Sequence, residues 1–243
     1  MLKGENVTKR FGGITALSSL DFHVEEGEIV GLIGPNGSGK TTLFNIISGF
    51  FPPESGSITF KGQEITGHKL HDIARLGIGR TFQLVKPFEE LSVLENVAIG
   101  ALYGKRESNT SKAKKQAREI LEFVELVHES DALASELTLA DRKRLEVARA
   151  LSTSPELLLL DEVFAGLNET ELKQAVALIF RIRQEMGVTV FMVEHVLSAI
   201  MKTCQQVIVL DYGCKLAEGS PEEIANNPKV IEAYLGGAYA EGR

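Results

Sequence analysis

A glycine-rich run near the N-terminus has the residue types and spacing of a phosphate-binding loop. It consists of Gly34, Pro35, Asn36, Gly37, Ser38, Gly39, Lys40, Thr41 and Thr42. Glycines let the backbone wrap closely around an anion, and their N–H groups converge with the positive end of a following helix. We therefore expect Lys40 to reach the outer phosphates of a nucleotide and the Thr41 hydroxyl to ligate magnesium. The alternative is a glycine-rich turn with a solvated lysine.

The elements on either side of this run favour the first interpretation. Residues 29–33 are a short apolar run suited to a buried parallel strand. Apolar residues then recur at helical spacing, at Leu43, Ile46, Ile47 and Phe50. Strand, glycine loop and helix thus follow one another in the order that nucleotide binding requires, and we predict a nucleotide site here.

Two acidic residues after a run of leucines form a second candidate site. Residues 157–160 are four leucines typical of a central buried strand, and Asp161 and Glu162 follow at its carboxyl end. Ligands of open α/β sheets bind at that edge. We expect Asp161 to hold magnesium through water and Glu162 to orient the water that attacks a γ-phosphate. Such pairs often cap the next helix, but Asn168 and Glu171 already provide that cap.

Residues 77–83 are expected to form a strand that ends at Gln83, which by itself is a surface glutamine. Two further residues each have two interpretations. Phe11, followed by two glycines, could stack on a base or end a strand as a core residue. His195, at the end of the buried-type strand 188–193, could contact a γ-phosphate or cap the next helix.

Composition excludes several classes of protein. The 243 residues are 44% hydrophobic and 24% charged, which is ordinary for a globular chain. The net charge of -7 gives no broad basic field for nucleic acid. Because no apolar stretch approaches the roughly 20 residues that cross a bilayer, we expect a cytosolic chain. Cys204 and Cys214 are expected to be reduced, packed thiols.

The remaining pattern predicts a side sheet and a helical region. Alternation over residues 2–24 and a hairpin over 57–65 predict a small antiparallel sheet. Helical signals run from about 89 to 150, where Ser92 and Glu95 form a capping box. A second helix is expected after Lys112. Its apolar stripe comprises Ala117, Ile120, Leu121, Val124 and Val127.

In their order these motifs resemble the ATP-binding subunit of ABC transporters over nearly the whole chain. The resemblance implies an α/β fold, a P-loop NTPase with a RecA-like core, an antiparallel β subdomain and a helical subdomain. Residues 1–243 would form a single ABC ATPase domain. The core and β subdomain would cover about 1–83 and 151–243, and the helical subdomain about 84–150. It also implies a head-to-tail dimer that encloses two ATP molecules with Mg2+.

The resemblance assigns roles to individual residues. Phe11 would stack on adenine, Gln83 would join magnesium and sense the membrane partner, and Glu162 would be the catalytic carboxylate. His195 would be the γ-phosphate switch, and residues 165–168 would cross the dimer interface. The stretches 79–83, 94–97 and 165–168 look most like branched-chain amino-acid importer ATPases, although urea-import and lipopolysaccharide-export ATPases look similar.

One segment departs from the pattern of that family, which usually has Leu-Ser-Gly-Gly-Gln there. This chain has Leu137, Thr138, Leu139, Ala140 and Asp141. Thr138 keeps a hydroxyl, but the lost glycines add β-carbons, and Asp141 places a negative charge near where a partner's γ-phosphate would sit. We expect a nucleotide site completed by this segment to close less tightly and the partner to be a different ATPase chain.

The sequence thus predicts an ATPase that lies on the inner face of the cell membrane and powers permease subunits. Its partners would be the permease, a second ATPase subunit in a homo- or heterodimer and, indirectly, a periplasmic solute-binding protein. Two alternatives stay open at this point. One is a nucleotide-gated regulatory module of low activity, and the other is an ABC ATPase that acts on nucleic acid or ribosomes.

Overall fold

The computed structural model describes residues 1–82, 87–104 and 109–240, with residues 235–240 described as backbone. The strands are β1 (Leu2–Phe11), β2 (Ile14–Val24), β3 (Ile29–Ile33), β4 (Ser55–Phe60), β5 (Gln63–Glu64), β6 (Ile78–Arg80), β7 (Leu157–Asp161), β8 (Thr189–Val193), β9 (Gln206–Asp211) and β10 (Cys214–Gly219). The helices are α1 (Lys40–Ile47), α2 (Leu70–Leu76), α3 (Val93–Tyr103), α4 (Thr110–Phe123), α5 (Leu139–Ser152), α6 (Glu169–Met186), α7 (Leu197–Thr203), α8 (Pro221–Ala225) and α9 (Pro228–Ala240). Short 3-10 turns cover Val127–Glu129 and Ala134–Glu136.

The chain divides into two compact units, Met1–Ile73 with Thr189–Arg243, and Ala74–Val188. In the first unit, β2, β1, β4 and β5 form the antiparallel sheet that the alternating pattern predicts. The other strands of this unit lie in the order β10, β9, β3, β8, and β3 runs parallel to both β8 and β9. Every residue of β3 is buried, because a parallel strand in the middle of a sheet is covered on both faces.

Aromatic side chains build the core of the first unit. Phe191 of β8 lies 5.1 Å from Phe44 of α1 and 6.1 Å from Phe22 of β2, measured between ring centroids. All three side chains are at most 3% exposed. Since each ring comes from a different element, this cluster fixes α1 and the loop before it against strands from distant parts of the sequence.

The second unit contains the parallel pair β6 and β7 and the helices α3, α4, α5 and α6. Helix α3 packs on both α4 and α5. Two of the helices begin with capping boxes, Ser92 with Glu95 and Asn168 with Glu171, as the sequence predicts. Helix α6 ends at Gly187 in the left-handed conformation with φ of 67°. The expected helical subdomain over about 84–150 remains a prediction.

The structure corrects four expectations. Helix α1 ends at Ile47 and Gly49 turns the chain at φ of 75°, so Phe50 is 64% exposed and does not continue the buried face. Strand β6 stops at Arg80, because the Thr81 hydroxyl, not a ladder carbonyl, accepts the Asp161 N–H. Cys214 is exposed, whereas Cys204 is buried as expected.

The fourth correction concerns helix α4. It begins at Thr110, because the Asn109 side chain caps the N–H groups of Ser111 and Lys112. It ends at Phe123, and Val127 falls in the 3-10 turn beyond it.

Among the described residues, no helix combines the length and the hydropathy that a membrane span requires.

Candidate functional site

The glycine loop lies between β3 and α1, and its conformation depends on glycine. Gly34, Gly37 and Gly39 have φ values of 151°, 78° and 106°. A β-carbon on Gly34 would lie 2.1 Å from the Leu210 carbonyl oxygen, and one on Gly39 would lie 2.5 Å from that of Ala16. Because both obstacles are backbone atoms, no side chain can replace hydrogen there without moving a neighbouring strand. The tight wrapping that anion binding requires is therefore built into the loop.

The loop also brings a cation and a hydroxyl into a buried position. The Lys40 ammonium donates to the carbonyl oxygens of Gly34 and Pro35 at 2.7 and 2.9 Å, and Lys40 is only 6% exposed. The buried Ser38 Oγ has no hydrogen-bond partner among the described residues. A buried hydroxyl without a partner is costly unless a ligand completes it. The donors of this loop therefore fit a phosphate.

Helix α1 contributes its N-terminus to the same place. Its N-cap is Gly39, which has no side chain to cap the first N–H groups. Those N–H groups and the positive end of the helix dipole can therefore serve an anion. Thr41, in the first turn of α1, is exposed and accessible to a metal ion. The residues present thus fit a nucleotide phosphate with a bound divalent cation.

Phe11 lies at the end of β1 with its ring half-exposed. Its exposed fraction is 47%, which is not that of a core residue. The ring packs edge to face on Phe51, with 5.3 Å between centroids, and the Lys9 ammonium lies 5.5 Å from its centroid. An aromatic surface held in this way can accept a flat partner. Its role as a base-stacking residue remains a prediction.

Tyr234 of α9 contacts the glycine loop. No sequence pattern predicted this contact. Burial raises the pKa of the Tyr234 phenol to about 12, and a hydrogen bond from the Gly34 backbone acts in the opposite direction. The Tyr234 phenol therefore lies beside the Gly34 backbone. The C-terminal helix therefore contacts the first residue of the glycine loop.

His195 and Glu194 follow β8 in the first unit. His195 is exposed, and the N-cap of α7 is Val196, so the histidine does not cap that helix. Glu194, which the sequence did not single out, is only 1% exposed. Burial raises the pKa of the nearby Cys204 thiol to about 12, and the Glu194 carboxylate adds to that shift. Gln83 lies outside the described residues.

In the second unit, Asp161 is held on both its side chain and its main chain. It ends β7 and is 2% exposed. The Arg80 guanidinium donates to Asp161 Oδ2 at 3.0 Å, and the Asp161 N–H donates to Thr81 Oγ1 at 3.0 Å. Burial lowers the pKa of Arg80, and its contact with Asp161 opposes this effect. Asp161 is therefore a fixed acidic group at the carboxyl end of β7.

Glu162 follows in a left-handed conformation, with φ of 52°. The buried Lys143 ammonium of α5 donates to the Glu162 carbonyl oxygen at 2.8 Å. Asn168, not the acidic pair, caps α6, since its side chain accepts the N–H groups of Thr170 and Glu171. The acidic pair is thus not used as a helix cap.

The divergent segment forms the start of α5. Thr138 is the N-cap, and its hydroxyl accepts the Asp141 N–H at 3.2 Å. The same hydroxyl donates to Asp141 Oδ2 at 2.6 Å, and Arg144 lies 3.7 Å from the other carboxylate oxygen. Leu137 is buried, whereas Leu139 is 50% exposed and Ala140 is half-buried. The Asp141 charge is therefore folded back onto its own helix, where it complements the helix dipole.

The predicted residues thus fall into two groups. The first unit holds the glycine loop, Phe11 and His195, and the second holds Asp161, Glu162 and the segment 137–141. Sequence reasoning missed Arg80, Lys143, Glu194 and Tyr234. Among the described residues, no cluster of three or more His, Cys, Asp or Glu side chains could hold a metal by itself. A metal at either group would need ligands from outside such a cluster, such as nucleotide oxygens.

Comparison with known proteins gives two family matches. Residues 17–165 match the ABC transporter family, and residues 214–240 match the branched-chain amino acid ATP-binding cassette transporter family. The second match ends in α9, the helix that carries Tyr234.

Individual proteins are similar over nearly the full length. The high-affinity branched-chain amino acid transport ATP-binding proteins BraF of Pseudomonas aeruginosa and LivG of Escherichia coli are each 39% identical, with 98% of both chains covered. A solved ATP-binding cassette of an ABC transporter, in its ADP conformation, aligns with a TM-score of 0.88 at 32% identity, covering 97% of this chain and 98% of that one. A dimeric bacterial ABC transporter cassette aligns with a TM-score of 0.83 at 27% identity, covering 91% of this chain and 99% of that one.

Proposed function

The chain belongs to the ABC transporter ATP-binding family, and from this premise we propose that it is the ATP-hydrolysing subunit of an importer for branched-chain amino acids. Full-length similarity to LivG and BraF carries this proposal, because the likeness includes the C-terminal stretch 214–240 that is particular to that group. The protein binds ATP and hydrolyses it to drive transport across a membrane.

The glycine loop would hold the phosphates of ATP. The N–H groups of residues 34–42 and the start of α1 surround the anion, and the Ser38 hydroxyl gains the partner that it lacks. Lys40, which donates to the Gly34 and Pro35 carbonyl oxygens, would turn its ammonium towards the outer phosphates. Phe11 would stack on the adenine, a contact worth about 1–3 kcal/mol for aromatic side chains on bases.

Mg2+, held by Thr41, Gln83 and Asp161, would neutralise charge on the phosphates when bound. Glu162 would orient the attacking water and accept its proton. His195 would contact the γ-phosphate and respond to its presence. Catalysis of this kind depends on positioning and charge, so the fixed conformations of Asp161 and Glu162 are the features of this chain that serve it.

The protein would work on the inner face of the cell membrane as part of a larger assembly. Its partners are the permease subunits, a second ATPase subunit and, indirectly, a periplasmic solute-binding protein. In the dimer, residues 137–141 of this chain would complete the partner's nucleotide site. Because Leu139 replaces a glycine and is 50% exposed, we propose that this site closes less tightly and that the second ATPase is a different chain.

Reconstitution tests this function. The chain is placed in vesicles with its permease and second ATPase, and ATP hydrolysis is measured with a binding protein loaded with leucine, isoleucine or valine. We expect stimulation by these solutes and not by urea. Stimulation by urea alone would refute the solute assignment. A fast, fully cooperative ATPase from the purified chain alone would refute the unequal dimer, and negligible hydrolysis in the full assembly would favour the regulatory module.

A further inference from the structure

Two buried cationic side chains form hydrogen bonds with the turn that carries the acidic pair. Arg80 reaches the side chain of Asp161, and Lys143 reaches the main chain of Glu162. The side chains of Arg80 and Asp161 are only 7% and 1% exposed, and Lys143 is 8% exposed. The predicted roles of this turn involve its carboxylates, and they do not explain why it is held by charges from two other elements.

The Arg80 contact fixes the direction of the Asp161 carboxylate. Arg80 ends β6, which pairs in parallel with β7, and the next residue, Thr81, accepts the Asp161 N–H. Two consecutive residues thus hold the aspartate by its side chain and its main chain. The guanidinium donates to Oδ2 through one N–H of its planar fork, and this bond limits rotation of the buried carboxylate.

Stability alone does not account for a buried ion pair of this kind. Taking both charges out of water costs about as much as their attraction returns, and apolar side chains of similar volume often serve as well or better. We therefore attribute this ion pair to the need to orient the carboxylate of Asp161, the residue assigned to the metal.

The Lys143 contact acts on the neighbouring residue. Glu162 has φ of 52°, which costs a residue with a β-carbon about 1–3 kcal/mol unless the surroundings hold it. The Lys143 ammonium donates to the Glu162 carbonyl oxygen at 2.8 Å and so holds the peptide in that orientation. The left-handed turn determines where the glutamate side chain leaves the strand. Lys143 lies five residues after Thr138, so α5 joins the divergent segment to this turn.

We propose that Arg80 and Lys143 are positioning residues for ATP hydrolysis. Arg80 sets the Asp161 carboxylate for the magnesium ion, and Lys143 sets the turn from which Glu162 orients water. This inference rests on the proposed function. It assigns different consequences to the two cations: loss of Arg80 weakens metal binding, so that more Mg2+ is required, and loss of Lys143 slows turnover.

The test of Arg80 is the substitution R80Q. We expect the Mg2+ concentration for half-maximal hydrolysis to rise about 10- to 100-fold, the usual effect of removing a residue that orients a metal ligand. Binding of Mn2+ in the presence of ATP, measured by electron paramagnetic resonance, should weaken by a similar factor. R80K keeps the charge but loses the fork, and we expect a smaller shift in the same direction. The control is R118Q, at an exposed arginine of α4.

A folded R80Q protein with unchanged Mg2+ requirement and Mn2+ binding would overturn the assignment of Arg80. If R80Q does not fold, R80K decides, and an unchanged metal requirement in R80K would overturn the proposal equally. A loss of thermal stability without a change in the metal requirement would show a structural role only and also counts against it.

The test of Lys143 is K143M, with K143R as the conservative variant and K114M, at an exposed lysine of α4, as the control. We expect kcat to fall about 10- to 100-fold, because a small displacement of a group that orients the attacking water slows the reaction by a factor of this order. The KM for ATP and the Mg2+ requirement should stay unchanged, and K143R should restore part of kcat. Unchanged kcat in folded K143M would overturn the assignment. A wild-type protein that neither binds nor hydrolyses Mg-ATP would instead refute the proposed function.

Discussion

The substitution G39A should damage the glycine loop through two separate effects. Gly39 has φ of 106° and ψ of 0°, a conformation that L residues rarely adopt and that costs them about 1–3 kcal/mol. The added β-carbon would also lie 2.5 Å from the Ala16 carbonyl oxygen and 2.8 Å from Leu17 Cδ2. Because the first obstacle is backbone, the strand must move, and we expect a total cost of about 3 kcal/mol, which exceeds that of a typical substitution.

The matched control is G62A, since Gly62 also has a positive φ, 79°, but its β-carbon would meet no atom within 4 Å. We expect G62A to cost about 1 kcal/mol and to lower the melting temperature by about 2–4 °C, and G39A to lower it by about 6–12 °C. Calorimetric titration with Mg-ATP should show at least about tenfold weaker binding for G39A and normal binding for G62A. Equal melting temperatures and equal ATP affinities in the two variants would refute the steric reasoning.

The surroundings of single side chains also lead to measurable differences in reactivity, stability and ATP affinity. Maleimide labelling at pH 8 should modify exposed Cys214 first, because a thiol with its pKa raised to about 12 leaves Cys204 protonated, and equal rates would contradict this. N168A should cost about 1 kcal/mol and lower the melting temperature by about 2–4 °C through loss of the α6 cap, and an unchanged melting curve would contradict it. Y234F should weaken ATP binding about fivefold, since it removes the hydroxyl that lies beside the Gly34 backbone at the start of the glycine loop, and unchanged affinity in calorimetry would exclude that coupling.

The contribution of Tyr234 to the stability of the fold should also depend on pH. Because folding raises the pKa of this phenol above its ordinary value near 10, its contribution to stability is complete below about pH 10 and is lost as the pH rises to about 12. Chemical denaturation at pH 9 and 11 should show a smaller loss of stability for Y234F than for the wild type. Y212F is the control, since Tyr212 is 87% exposed.

Features that depend on short stretches of sequence could be predicted. The order of β3, glycine loop and α1 follows from an apolar run, a glycine pattern and helical spacing. The capping boxes at Ser92 and Asn168 are also local, because each cap bonds to a residue three positions on. Errors arose at the ends of elements, as at Phe50, where a single turn at Gly49 decides whether the apolar face continues.

Contacts between distant positions could not be predicted in the same way. Arg80 and Asp161 are 81 residues apart, and nothing in the sequence around Arg80 indicates a carboxylate partner. The Lys143 contact is to a carbonyl oxygen, which every residue possesses, so side-chain identity gives no signal. Tyr234 contacts Gly34 across nearly the whole chain. Each contact depends on the tertiary arrangement, and each adds a residue to the site that the motifs did not contain.

This chain binds ATP, and we propose that Glu162 is needed to hydrolyse it. The most direct measurement identifies the nucleotide that the E162Q protein retains after incubation with Mg-ATP in the complete assembly. We expect bound ATP, with turnover reduced by about 100-fold or more relative to the wild type. Bound ADP with turnover like that of the wild type, or no bound nucleotide at all, would contradict it.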